Sequence, residues 1–155
     1  MRPIQDWLDE YSESHQNSLN KTIHWICVPS IVFSIILMFW SIPVPNWMVN
    51  SGLNYAYFMM MLAVVYYALL SPTLAIGMAL LFAFAGFIAQ AIALSTNYPI
   101  WGIGLILFVL AWIGQFYGHS VEGKKPSFLK DIQFLLIGPV WLLHFIYARL
   151  GIKYN

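Results

Sequence analysis

Residues 14–29 read SHQNSLNKTIHWICVP, and they divide the chain into two unlike parts. Before them lies a short acidic segment. After Lys21, residues 22–121 contain no Asp, Glu, Lys or Arg, and the next charge is Glu122, three positions beyond His119. A water-soluble domain carries about 25% charged residues; this chain of 155 residues is 8% charged and 61% hydrophobic, with mean hydropathy +0.73. The composition therefore gives an all-α integral membrane helical bundle, in which each segment pairs its own backbone polar groups inside the bilayer.

The length allows a single domain over residues 1–155. A net charge of +1 with no basic stripe gives no reason to expect nucleic acid as a partner, and the lipid bilayer is the expected surroundings. One cysteine, Cys27, excludes an internal disulfide. The N-terminal MRPIQDWLDEYSESH is acidic and lacks an apolar core, so it is not expected to act as a cleavable signal.

Four to five spans and a short N-terminal interfacial helix are expected. Residues 3–14 place Ile4, Trp7, Leu8 and Tyr11 at helical spacing, with Asp6, Asp9, Glu10 and Glu13 on the other positions. That helix is expected to lie with Trp7 and Tyr11 at headgroup level. Turn-forming residues follow, and Asn20 is the expected N-cap of the first span. Spans are read near 24–42, 53–70, 74–94 and 100–117; nineteen residues at 1.5 Å each cover about 28 Å, one hydrocarbon thickness. A last apolar segment, 132–147, is interrupted by Gly138-Pro139 and either crosses or folds back.

Four spans between His24 and His119 return the chain to the side it left. Arg2, Lys21, Lys124, Lys125 and Lys130 fall on that face, and the opposite turns carry no Lys or Arg, so the N-terminus and this border are expected to be cytoplasmic. The membrane is the inner membrane in a bacterium and the endoplasmic reticulum in a eukaryote.

Parity thus gathers three of the four histidines, His15, His24 and His119, at one border. His15 and His24 would point apart on one helix, but the turn residues between them let the chain fold back. Gln115, His119 and Glu122 are spaced four and three, one stripe if the fourth helix runs through Gly118. Neutral imidazole suits Fe, Zn, Cu and Ni, and three nitrogen donors leave open the positions that catalysis requires. Glu122, Asn20 or Gln115 is placed to orient a ligating ring. Read blandly, the same histidines are interface residues, and Lys124 and Lys125 are solvated lysines on the positive face. His144, in the last segment, is as easily a packing residue as a functional one.

Two polar motifs carry a resemblance. His15-x4-Asn20-x3-His24 precedes Val28-Pro29, and Gln115-x2-Gly118-His119-x2-Glu122-Gly123-x2-Pro126 follows several spans later, ahead of an apolar segment with Gly138-Pro139. In order and spacing, over nearly the whole chain, this resembles the fungal 2-hydroxy fatty acid dioxygenases and their bacterial relatives. The resemblance implies a non-haem, Fe(II)-dependent dioxygenase that takes a 2-hydroxy fatty acid and O2 and shortens the acid by one carbon. It implies His15, His24 and His119 as iron ligands, and Asn20, Gln115 and Glu122 as supporting residues. The substrate's anionic head would lie near Lys21, Lys124 and Lys125. Where the family often has an acidic residue soon after the last proline, this chain reads PVWLLHFIY over 139–147, with His144, which leaves a fourth ligand open.

Two rivals remain at this point. Two histidines on different helices can clamp a haem for electron transfer. A small transporter or scaffold would bind no metal, although spans without a charged residue disfavour transport. A hydrolase is disfavoured because no serine has a nucleophile-elbow context.

Overall fold

The computed structural model describes residues 2–126 and 133–154; Lys130 and Ile132, used above, lie outside them. The described residues form seven helices: α1 (Ile4–Ser12), α2 (Ser18–Trp40), α3 (Asn46–Asn50), α4 (Tyr55–Leu70), α5 (Pro72–Ser95), α6 (Ile100–Glu122) and α7 (Phe134–Leu150). The all-helical expectation holds. Three helices, α2, α5 and α6, are long and apolar enough to cross a membrane, at 23, 24 and 23 residues. With 16 and 17 residues, α4 and α7 reach only about 24–26 Å.

Local chemistry sets the helix ends. Asn17, rather than Asn20, caps α2: its side-chain oxygen accepts from Leu19 N at 2.9 Å and Asn20 N at 3.4 Å. The helix therefore starts six residues before His24. Asn54 caps α4, and Ser71 followed by Pro72 starts α5. Ser71 alone joins α4 to α5, so the two form a hairpin.

The most extensive pairing is α2 with α6, antiparallel. Glycines make it close. A Cβ on Gly104 would lie 2.9 Å from the Ser34 carbonyl, one on Gly114 2.6 Å from Cys27 Sγ, and one on Gly118 2.5 Å from Asn20 Oδ1. Small residues spaced by helical turns let two helix backbones approach in lipid, where apolar burial drives little. This contact carries α6 through Gly118 to Glu122, so Gln115, His119 and Glu122 share a helix, and Gly123 ends it in the left-handed region at φ 71°.

Two expectations about the ends of the chain change. The apolar face of α1 is turned onto α7 rather than toward headgroups: Ile4, Trp7, Leu8 and Tyr11 are buried, with Trp7 and Phe134 ring centroids 5.3 Å apart and Tyr11 and Trp141 also 5.3 Å apart. An aromatic partner inside the protein outcompetes the interface. The Gly138-Pro139 step does not break α7, because Pro139 sits near its start and forgoes one backbone bond there. Arg149, at the end of α7, lines a recess with Lys21 and Trp25 from the start of α2. Both α6 and α7 thus end where α2 begins.

Candidate metal centre

Three segments meet at the α2 start. His15 comes from the α1–α2 connection, His24 from the second turn of α2 and His119 from the last turn of α6. They are 0%, 1% and 6% exposed, which removes the reading of surface histidines. One ligating atom from each lies within 4.8 Å of the others. The rings stand nearly at right angles, at 78° for His15–His24, 72° for His15–His119 and 89° for His24–His119.

Backbone engages all three rings, His119 through Lys124. His15 Nδ1 lies 2.5 Å from the Tyr11 carbonyl and His24 Nδ1 2.9 Å from the Asn20 carbonyl. A carbonyl only accepts, so both Nδ1 atoms carry hydrogen, and each neutral ring presents a bare lone pair at Nε2. Burial above all, and then His24, push the His15 imidazole down to about 3, with the Tyr11 carbonyl pulling the other way. His15 is therefore neutral near pH 7. Its Nε2 faces His24 Nε2 at 2.9 Å. Two lone pairs at that distance repel each other unless a cation lies between them. Two nitrogens each bound at about 2.1 Å and at right angles would stand about 3.0 Å apart, so the spacing fits a shared metal ion. His119 adds a buried Nδ1 with no hydrogen-bond partner. Three imidazoles without a carboxylate are a donor set for a late or middle first-row transition metal.

The supporting residues divide into two kinds. Glu122 accepts from Gln16 N at 2.9 Å, Asn17 N at 2.8 Å and Asn20 Nδ2 at 3.0 Å. Asn20 Nδ2 also donates to the Ser14 carbonyl at 3.2 Å. Glu122 and Asn20 are thus a clamp that ties the end of α6 to the connection carrying His15. Gln115 makes no such tie: it faces a cavity of about 40 Å³ bordered by His24, His119 and apolar side chains including Val28, Val32 and Phe134.

The lysines lie further out. Lys124 Nζ donates to the Glu13 carbonyl at 2.6 Å, Lys125 is exposed, and Lys21 borders the recess with Arg149. His144 is away from the cluster: its Nδ1 is 2.5 Å from Tyr154 OH, and it is not in the three-histidine group found among the described residues. Sequence reasoning missed Tyr11, which stacks on His15 at 4.1 Å and 11°, and Trp141, 5.2 Å from the same ring. Nothing local marks either. It also missed the seam signalled by Gly114-x3-Gly118.

Beyond Val28 and Val32 runs a larger groove of about 370 Å³ between α2, α5 and α7, lined by apolar residues such as Phe33, Met78, Ala85 and Leu143. The two spaces share those valines as a wall.

The comparisons with known proteins agree. A family model described as 2-hydroxy-palmitic acid dioxygenase Mpo1-like matches residues 1–150. The 2-hydroxy-palmitic acid dioxygenase MPO1 of Saccharomyces cerevisiae is 28% identical over 152 residues, 96% of this chain and 82% of that protein. No solved structure gives a significant match.

Proposed function

We propose a dioxygenase function from a plain premise: the chain belongs to the Mpo1-like family. In this reading it is an Fe(II)-dependent enzyme that cleaves the C1–C2 bond of a long-chain 2-hydroxy fatty acid. The observation that carries it is the pair of buried, neutral imidazoles whose Nε2 lone pairs face each other at 2.9 Å, with His119 beside them. A haem is a poor fit, since axial nitrogens on opposite sides of the macrocycle would stand about 4 Å apart.

Iron, when bound, supplies the redox chemistry toward O2 and a Lewis-acid centre for the α-hydroxy carboxylate. The chain's own residues do the rest. The Tyr11 and Asn20 carbonyls hold the rings in the tautomer that ligates. Glu122 and Asn20 fix the loop that brings His15 in. Val28, Val32 and Phe134 keep the small cavity dry, and the groove beyond takes the acyl chain. The overall change, RCH(OH)CO2H + O2 giving RCO2H + CO2 + H2O, balances without an outside reductant. In this reading the site and the N-terminus lie on the cytoplasmic side, a reading that the basic residues Lys21 and Arg149 at one recess support through the positive-inside rule.

The test is direct. Protein purified anaerobically and loaded with Fe(II) is given 2-hydroxyhexadecanoic acid and O2, with no added reductant. Oxygen uptake matched by pentadecanoic acid is expected. Neither uptake nor shortening, in protein holding one iron per chain, would overturn the reading.

A further inference from the structure

Asn20 Oδ1, Gln115 Oε1 and His119 Nδ1 are each buried without a hydrogen-bond partner. Two have an explanation. His119 Nδ1 belongs to the metal cluster. Asn20 Oδ1 is closed off by α6, where even a methyl group on Gly118 would come within 2.5 Å of it. Gln115 is different. It is only 6% exposed, and it borders the cavity that His24 and His119 also border. A buried acceptor in apolar surroundings calls for a donor from elsewhere. The cavity's 40 Å³ holds two or three water-sized groups, which suits a hydroxyl-bearing carbon and excludes an acyl chain.

We propose that Gln115 reads the substrate's 2-hydroxyl group: its amide oxygen accepts the hydroxyl hydrogen and so selects 2-hydroxy acids over plain fatty acids. This rests on the dioxygenase reading and adds to it the residue that sets specificity. A site built to hydrogen-bond a hydroxyl rejects the analogue that lacks it, because the buried acceptor is then left unpaired. Tyr11 and Trp112 also line the cavity beside His24 and His119, and outside the metal cluster the Gln115 amide oxygen is the buried acceptor in this lining that has no partner.

The experiment measures binding rather than turnover. Affinities for 2-hydroxyhexadecanoic and hexadecanoic acid are compared anaerobically in Fe(II)-loaded wild type, Gln115→Met and Gln115→Glu. Met matches the shape of Gln without the acceptor; Glu keeps an acceptor, and the ratio of the two affinities cancels its effect on acids in general. The expected result is a preference for the hydroxy acid of about tenfold or more in wild type. That preference should be lost in Gln115→Met and kept in Gln115→Glu, with iron content unchanged in all three. An unchanged ratio in Gln115→Met overturns the role of Gln115 alone. Loss of iron in both variants overturns it too, by making Gln115 a support of the metal. A wild type that holds iron but shows no preference overturns the substrate reading and this proposal together.

Discussion

His15 Nε2 stands 2.9 Å from His24 Nε2, although each ring has already given its Nδ1 hydrogen to a backbone carbonyl. That pairing is unfavourable without a cation and favourable with one. Each of His15→Ala, His24→Ala and His119→Ala should therefore lose stoichiometric iron, measured by elemental analysis of the purified protein. His144→Ala should keep it, because His144 is engaged by Tyr154 instead. A His119→Ala variant with full iron would reduce the site to two histidines.

Removing the metal should loosen the fold, since binding to the native state alone stabilises it by about 2.7 kcal/mol at a free concentration one hundred times Kd. Chelation should lower the melting temperature in detergent, and re-addition of Fe(II) should restore it. In the His→Ala variants, chelator should have no effect.

Glu122 takes three hydrogen bonds from the connection before α2 and touches none of the ring nitrogens by hydrogen bond. Glu122→Ala should weaken iron affinity by about 10–100-fold, as loss of a residue behind the ligands does. At saturating iron, turnover should return toward wild type. A turnover that stays low when iron is full would make Glu122 a participant in proton transfer instead.

Gly118 and Gly102 sit on the same helix with opposite surroundings. Gly118→Ala drives a methyl to 2.5 Å from Asn20 Oδ1, whereas Gly102→Ala meets nothing within 4 Å. Thermal unfolding should show Gly118→Ala destabilised by about 1–3 kcal/mol, with iron affinity falling as Asn20 shifts. Gly102→Ala should be neutral or slightly stabilising.

Ala85 lines the wide groove. Ala85→Trp fills part of it and should move the chain-length optimum toward shorter 2-hydroxy acids while iron content stays constant. Assays across a series of acid lengths would show this. An unmoved optimum would place the acyl chain elsewhere.

Much of this was legible in the residues, for stated reasons. The charge-free block marks the bundle because charges are costly in hydrocarbon, and His119 returns to His24 because α6 packs antiparallel on α2. Asn17 and Asn20 are chemically equal caps; Glu122, 102 residues from Asn20 in sequence, decides between them by engaging the Asn20 amide. Whether α6 survives Gly118 is also invisible locally, since glycine favours ending a helix until a neighbour packs against it. That α7 ends beside the start of α2, with Arg149 and Lys21 bordering one recess, depends on the packing of distant segments that charge counting only hinted at. Gln115 looked like Asn20 and Glu122, another polar residue in a motif, until the cavity separated it from the clamp.

The Glu122 clamp also sets an order of events during synthesis. Its bond to Asn17 N closes a loop of 105 residues, and loops of that length close only after the intervening helices are made. His15 and His24 leave the ribosome early, as half a site with nothing to hold their loop. The three-histidine group is completed only when α6 brings in His119, so a chain truncated before α6 should bind no iron.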